Sequence, residues 1–279
     1  AVIDALAAQV DLEFSRNHGS IPGGQWMILA MGKLGGREMS PSSDLDLIVV
    51  YNHDEGAQGS NGKKSLSPEK YYTRLTQRLI NALTAPTSEG NLFEVDMRLR
   101  PSGNAGPIAS HIHAFTKYHK SSAWIWEHMA LVRARPISGD HNLIREVTDV
   151  IHHTLTSFRD PTNLLSEIAE MRRRIDAEHQ TNSVMEIKYF RGGIIDIEFI
   201  IQYLQLRHAG NHPSLLSTNT SEALDRLSAQ DLLNESDAET LKYALAIFQG
   251  IQGHLRLTLD GPLNGQDFSI LPKPLQKSL

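Results

Sequence analysis

Residues 32–51 read GKLGGREMSPSSDLDLIVVY, a glycine-rich stretch followed by two aspartates and an apolar run. The pattern predicts a strand over Trp26–Met31, a tight turn, and a second strand over Leu45–Tyr51. Side chains two residues apart in a strand point to the same side, so Asp44 and Asp46 are expected side by side at the mouth of the turn. Two carboxylates beside a phosphate-sized loop predict a site for Mg²⁺, which prefers carboxylate and phosphate oxygens.

The two aspartates also have a purely structural interpretation. Ser43 and Asp44 could cap a turn, and Asp46 could be the polar side of a half-exposed strand. A charge inside an apolar strand is costly unless something compensates it, and this cost favours the functional interpretation.

The glycine-rich turn is a weaker signal than the aspartates. Gly32, Gly35 and Gly36 would let backbone amides turn toward an anion, and Lys33 or Arg37 could add a positive charge. Glycines also serve turn geometry alone, so both roles stay open. The turn is not a Walker A loop, because the Gly-Lys-Ser/Thr ending is absent and the aspartates follow too soon.

A third carboxylate follows in the segment 91–101, which alternates polar and apolar residues and is predicted to be a strand. Its polar face would present Asp96 to the same metal ions, and Arg98 and Arg100 to phosphate groups beyond them. Three carboxylates and two arginines are typical of phosphoryl- or nucleotidyl-transfer sites. The alternative is an edge strand with a salt-bridged polar face.

The composition narrows the classes of partner. With 27 Lys and Arg against 32 Asp and Glu, the formal net charge is −5, so no overall positive field favours nucleic acid or a membrane surface. The 279 residues contain no cysteine, which excludes disulfides and thiolate chemistry and fits a cytoplasmic protein. No signal peptide and no apolar run of membrane-spanning length is recognised. Because the sequence begins without methionine, we expect a piece of a longer protein.

Periodicity predicts an α+β fold in two parts. Residues 1–140, with three predicted strands and helices near Val2 and Pro68, are expected to form a small mixed α/β domain. In residues 141–279 strand signals almost vanish, and helical spacing predicts a bundle. The bundle helices are expected over 164–175, 197–204 and 241–259. Little regular structure is expected in two segments, a mobile loop over 52–68 and a tail over 263–279.

Two further motifs combine basic and acidic residues. Residues 121–135 predict a helix from which Arg133 and Arg135 emerge near the end, where positive charge complements the helix dipole. The turn at 186–198 leads into a helix that begins with acidic residues. The basic residues of that turn could equally hold a phosphate tail.

The remaining clusters are expected to be structural. Arg172–Arg174 is assigned to the solvated face of its helix. The pairs His111/His113 and His152/His153 lack a carboxylate or cysteine at a matching spacing, which favours surface histidines over a metal site.

Four motifs, in order, closely resemble the glutamine synthetase adenylyltransferase family, a member of the DNA polymerase β-like nucleotidyltransferase superfamily. They are GKLGGRE with SDLDL between 32 and 47, VDMRLRP at 95–101, WEHMALVRAR at 126–135 and GGIIDIEF at 192–199. The resemblance covers residues 1–260 and implies a polymerase β-like palm followed by helices.

The resemblance implies a reaction and a metal site. A tyrosine hydroxyl of glutamine synthetase would attack the α-phosphorus of the substrate ATP, and pyrophosphate would leave. Asp44, Asp46 and Asp96 match the metal-binding carboxylates of the superfamily and would be the catalytic residues that hold two Mg²⁺ ions. Asp96 would act as a ligand and could also be a base toward the incoming hydroxyl. Arg98 or Arg100 would steady the phosphates.

One departure from the superfamily concerns the phosphate loop. The superfamily turn is usually Gly-Gly or Gly-Ser, whereas this chain has Gly32-Lys33. Ser43 is a candidate substitute for the group that holds the triphosphate.

The family is bifunctional, with one half that adds AMP to glutamine synthetase and one that removes it. The segments 101–106 and 126–128 resemble the adding half, because the removing half more often has Phe after the proline and Arg after Trp-Glu. The helical part would dock glutamine synthetase and relay signals from PII-type proteins, and the other half of the parent chain would be a further partner. Two alternatives remain open, the removing half and a non-catalytic module that binds nucleotide or a partner.

Overall fold

A computed structural model describes residues 2–41, 43–86, 88, 90, 93–179 and 186–258. The chain divides into two compact units, Ala1–Arg37 with Ser43–Thr154, and Glu38–Ser42 with Leu155–Leu279. The first unit combines a mixed sheet with helices and the second is helical, which confirms the predicted α+β class.

The first unit contains a five-stranded sheet within the described residues. Its strands are β1 (Gln25–Ala30), β2 (Leu45–Asn52), β3 (Val95–Asp96), β4 (Ala109–His111) and β5 (Arg135–Gly139). Its helices are α1 (Val2–His18), α2 (Gly32–Gly35), α3 (Pro68–Leu83), α4 (Ile112–Ser121), α5 (Ile125–Leu131) and α6 (His141–Thr156), with a 3-10 turn at Gly103–Ala105.

The sheet is mixed because β1 is antiparallel to both of its neighbours, whereas β2 is parallel to β3 and β4. Strand β1 lies between β2 and β5 and is antiparallel to both. The outer edge of β2 pairs in parallel with β3 at its beginning and with β4 at its end. The pairing with β3 sets Asp46 directly opposite Asp96.

The apolar runs of β1 and β2 form the core of this unit. Residues 27–30 and 47–50 are all buried, as expected for strands covered on both faces. Helices α1 and α3 pack together, with the rings of Phe14 and Tyr71 in contact, and α3 begins at Pro68 as predicted.

Three elements of this unit differ from the sequence predictions. Among the described residues of the strand predicted over 91–101, only Val95–Asp96 form a strand, β3. The backbone turns after Asp96, where the amide of Arg100 donates to the carbonyl of Met97. Residues 91 and 92 lie outside the described residues. The tight turn after β1 is the short helix α2. The helix expected over 121–135 is α5 followed by β5.

The loop after β2, predicted to be mobile, is fastened to the end of α1. The amides of Asn61, Gly62 and Lys64 donate to backbone carbonyls of residues 17–20 at 3.0–3.1 Å. The predicted domain boundary at 140 has no linker, because β5 pairs with β1 and Asp140 caps α6 directly. The division between the units falls at Thr154, inside α6.

The second unit is built from helices around an apolar core. They are α7 (Pro161–His179), α8 (Ile194–His208), α9 (Thr220–Ser228) and α10 (Glu235–Thr258), with a 3-10 turn at Pro213–Leu215. Their core includes Ile197, Leu224 and Leu245, in agreement with the predicted bundle. Leu259 and the predicted tail 263–279 lie outside the described residues. None of the described helices has the length and hydropathy needed to cross a membrane.

The segment Glu38–Ser42 belongs to this helical unit. The Thr220 amide donates to Oε1 of Glu38 at 2.6 Å, at the beginning of α9. Nη1 of Arg256 on α10 donates to the carbonyl of Pro41 at 3.0 Å.

Candidate active site

The beginning of β2 brings the predicted aspartates together. The amide of Leu45 donates to the carbonyl of Glu94 at 2.8 Å, which starts the parallel pairing with β3. Asp46 and Asp96 therefore stand opposite each other on neighbouring strands. Asp44 is exposed and directly precedes the strand, whereas Asp46 is half-buried.

The surroundings of Asp46 disfavour the ionised form of its carboxyl group. Burial raises the pKa of its carboxyl to about 6, and repulsion from Asp96 and Asp44 adds to the effect. The positive charges of Arg133 and Arg98 offset part of it. The three carboxylates and two guanidinium groups are thus close enough to interact electrostatically.

Asp96 is engaged by Arg98. The Arg98 amide donates to Oδ1 of Asp96 at 2.8 Å, and its Nε donates to Oδ2 at 2.7 Å. Partial burial by itself would raise the pKa of Asp96, but these bonds outweigh it and the pKa is lowered. The Asp96 side chain is 15% exposed and that of Arg98 is 72% exposed, so the guanidinium is open to solvent on its outer side.

The three predicted aspartates lie in one region, and their binding of a metal ion stays a prediction. No three His, Cys, Asp or Glu side chains in the described ranges are arranged to hold a metal ion. Arg98 is one physical reason, since it occupies both oxygens of Asp96. The chemistry of the donors nevertheless fits a divalent cation, because the positive charge of a cation beside Asp46 would offset the desolvation cost and the repulsion that raise its pKa.

The glycines of α2 permit close backbone approach on both sides. Gly32 has φ +50°, and a Cβ added there would collide with the Asp46 carboxylate. A Cβ on Gly35 would collide with the carbonyl oxygen of Arg133. These two glycines are therefore explained by packing, and phosphate binding by Gly32, Lys33, Gly35 and Gly36 stays a prediction.

The other predicted phosphate ligands, Arg98, Arg100 and Ser43, have different surroundings. Nη1 of Arg100 donates to the carbonyl of Met97 at 2.7 Å, and its Nε to that of Gly106 at 3.4 Å, so this guanidinium holds its own loop. Arg98 extends beside Asp96. Ser43 is buried next to Asp44.

Two arginines assigned from sequence to a helix end belong to the site region instead. Arg133 is 6% exposed and acts electrostatically on Asp46. Arg135 donates from Nε to the Gly35 carbonyl and from Nη2 to the Leu34 carbonyl, each at 2.9 Å. The signal that could have revealed this is Pro136, because a residue before proline is disfavoured in a helix and Arg135 must therefore be extended.

Among the remaining motifs, the His111/His113 pair and Arg172 make structural contacts. Nδ1 of His111 accepts the amide of His113 at 3.2 Å and caps α4, as a structural histidine would. Arg172, predicted to be solvated, is only 11% exposed and pairs with Asp196 on α8. In the basic turn at 186–198, Arg191 pairs with Asp176 at 2.5 Å and its side chain is 74% exposed, so a phosphate role for this turn stays a prediction.

The profile of one protein family, glutamate-ammonia ligase adenylyltransferase, matches residues 1–149, which include the whole carboxylate site. The chain belongs to this adenylyltransferase family. The resemblance drawn from the sequence motifs is thereby confirmed. Residues 162–264 in addition match the PII-uridylyltransferase family.

Curated relatives of this chain carry the name bifunctional glutamine synthetase adenylyltransferase/adenylyl-removing enzyme. A relative in Rhodopseudomonas palustris is 45% identical over 94% of this chain and 27% of its own length. One in Rhizobium meliloti is 44% identical over 95% of this chain and 27% of its own length. The chain thus spans about a quarter of the length of these relatives.

Proposed function

We propose that this chain is a nucleotidyl-transfer part of a longer protein and transfers AMP from ATP to a tyrosine of glutamine synthetase, with release of pyrophosphate. The observation that carries the proposal is the pairing of Asp46 with Asp96 on adjacent strands, beside the backbone of Gly32. The name of the relatives supports the choice of acceptor and of the transferred group.

The three aspartates would hold the divalent cations of this reaction, two Mg²⁺ ions in the arrangement that the resemblance implies. Bound cations neutralise phosphate charge and lower the pKa of an attacking hydroxyl. Such help is needed, because a free phenol ionises near pH 10 and is scarcely ionised at neutral pH.

Asp96, Arg98 and Arg100 would have different roles in the proposed reaction. Asp96 has a lowered pKa, which keeps it ionised and suits a ligand better than a general base working near neutral pH. Arg98, being largely exposed beside Asp96, is the arginine available to the phosphates of ATP. Arg100 would act indirectly by shaping the loop that follows β3.

Substitution of Asp46 tests the proposal. In Asp46→Asn we expect AMP transfer from labelled ATP to glutamine synthetase to fall at least ~100-fold, because a neutral amide is a poor ligand for Mg²⁺. Circular dichroism should show an intact fold. Asp149→Asn, an exposed position on α6, is the matched control and should retain wild-type transfer. Full activity of Asp46→Asn would refute the metal assignment.

The removing half of the same enzymes is the second candidate, since the relatives carry both activities in their name. It predicts phosphate-dependent release of ADP from adenylylated glutamine synthetase. A non-catalytic module predicts Mg·ATP binding in calorimetry without transfer in either direction. The presence of all three carboxylates argues against that module.

The helical unit is proposed to dock glutamine synthetase and to relay signals from a PII-type protein. The match of residues 162–264 to the PII-uridylyltransferase family supports this role. Binding of a PII-type protein to the chain, measured by calorimetry, tests it. A cytoplasmic location stays a prediction, favoured by the absence of cysteine.

A further inference from the structure

The junction between α5 and β5 contacts the glycine helix at its carboxyl end. Arg135 donates two hydrogen bonds, from Nε to the Gly35 carbonyl and from Nη2 to the Leu34 carbonyl, both at 2.9 Å. Carbonyls at the end of a helix lack the usual partner further along the helix, although the Leu34 carbonyl also accepts the Arg37 amide at 3.3 Å. A planar guanidinium can bond two such carbonyls at once. Arg135 therefore caps α2 from a distant part of the chain.

The same junction approaches α2 with its backbone. The carbonyl oxygen of Arg133 lies where a side chain on Gly35 would have to be. The end of α2 is thus held between the Arg133 carbonyl and the Arg135 guanidinium. Neither contact is made by a residue near α2 in sequence.

The beginning of α2 is placed against the candidate metal site. Gly32 stands so close to Asp46 that no side chain would fit between them. Helix α2 has only four residues, and a helix of this length has no stability of its own. Its position relative to Asp46 must therefore come from tertiary contacts. Just before the helix the Met31 amide donates to the Asp46 carbonyl at 2.9 Å, and at the far end the Arg133 carbonyl and the Arg135 guanidinium contact the helix.

We propose that Arg135 is a positioning residue that fixes α2 relative to the Asp46 carboxylate and thereby sets the affinity of the site for the triphosphate of ATP. This role rests on the proposed nucleotidyl transfer. It acts through the glycine helix, since Arg135 bonds backbone carbonyls of that helix.

The test compares Arg135→Gln and Arg135→Lys with Arg145→Gln, a control at an exposed position of α6. We expect Arg135→Gln to raise the KM for ATP and the calorimetric Kd for Mg·ATP about tenfold or more, with kcat changed less than about threefold. Arg135→Lys can bond a single carbonyl and should give intermediate values. Arg145→Gln should match wild type.

A merely structural role would lower the melting temperature and the yield of active protein and leave KM unchanged. Wild-type KM and Kd in folded Arg135→Gln would overturn the proposal. If that variant does not fold, Arg135→Lys decides, and a wild-type Kd in it has the same consequence.

The proposed function can fail separately from this inference. A wild-type chain that binds Mg·ATP but transfers no AMP would disprove the transfer reaction, while the Kd comparison would still test Arg135. A wild-type chain that binds no Mg·ATP would overturn both.

Discussion

The ionised carboxylate of Asp46 opposes the stability of the fold. Burial and two neighbouring carboxylates disfavour its ionised form, and only part of that effect is offset by arginines. A side chain chosen for stability alone would be neutral at this position. Such locally unfavourable charges are expected where binding of a cation requires them.

Arg98 stands between the proposed metal ligands and the proposed phosphate site, and its removal should change the affinities for metal and for nucleotide in opposite directions. In Arg98→Ala, Asp96 loses its guanidinium partner, so Mn²⁺ measured without nucleotide should bind about threefold to tenfold more tightly. Mg·ATP should bind more weakly, because the exposed guanidinium no longer meets the phosphates. Calorimetry measures both affinities.

Arg74→Ala, at an exposed position of α3, is the control for the loss of one positive charge. Its affinities should stay at the wild-type values. Unchanged Mn²⁺ affinity in Arg98→Ala would show that Asp96 is not a ligand.

His119 predicts a pH dependence of stability. It is 4% exposed, neither ring nitrogen has a hydrogen-bond partner among the described residues, and burial together with the nearby His128 lowers its pKa to about 3. Between that pKa and the ordinary value of 6.5 the unfolded chain binds more protons, so stability falls as the pH drops below 6.5. At pH 4.5 the loss is about 2–3 kcal/mol.

Urea unfolding of wild type and His119→Leu at pH 7.5 and pH 4.5 measures this loss. Leucine has no proton to gain, so the variant should lose less free energy of unfolding than wild type between the two pH values. An equal loss in both proteins would mean that His119 does not contribute.

At the scale of elements, charge pairs join α7 to the beginning of α8. Nη1 of Arg172 donates to Asp176 at 2.9 Å, and Nη2 donates to the Tyr189 carbonyl at 3.0 Å. The same guanidinium pairs with Asp196, which also accepts the Gly192 amide at 2.6 Å. One largely buried arginine thus holds two helices and the turn between them.

Adjacent arginines on α7 provide a comparison of buried and exposed pairs. Arg172→Gln should lower the free energy of unfolding by about 2 kcal/mol. This loss is smaller than for a fully buried ion pair, because both aspartates are partly exposed. Arg173, which is 66% exposed and pairs with Glu170, should change it by less than about 0.5 kcal/mol when replaced by Gln. Urea unfolding measures both, and equal effects would contradict this account.

At the scale of the whole molecule, the chain leaves the first unit and returns to it within a few residues. The segment Glu38–Ser42, between α2 and β2, belongs to the helical unit. Its Glu38 accepts the Thr220 amide at the beginning of α9. The helical unit is therefore discontinuous in sequence, and part of its stability depends on residues far from its helices.

Glu38→Ala should weaken α9 selectively. Loss of the hydrogen bond to the Thr220 amide is expected to cost about 1 kcal/mol, as for loss of a helix cap. Hydrogen exchange should show reduced protection of α9 amides and unchanged protection of β1. Glu55→Ala, exposed in the loop after β2, is the control. Unchanged α9 protection in Glu38→Ala would contradict the assignment of this segment.

Elements with a local sequence signal were predicted correctly. The apolar runs of β1 and β2, the proline at the start of α3 and the helical spacing of α7 and α8 each predicted their element. The prediction failed at β3, where alternation over eleven residues indicated a long strand and the chain instead turns after Asp96. It also failed at Arg172, because burial of an arginine depends on a partner from another helix.

The sequence by itself determined the class of fold, the aspartates at the start of β2 and the family, because strand periodicity, turn residues and motif order are properties of neighbouring residues. Only the tertiary structure decided which groups meet at the site. Arg135 reaches Gly35 across 100 residues, and Asp96 faces Asp46 through strand pairing while its oxygens bond Arg98. Contacts of this kind follow from the packing of distant segments, and no local pattern encodes them.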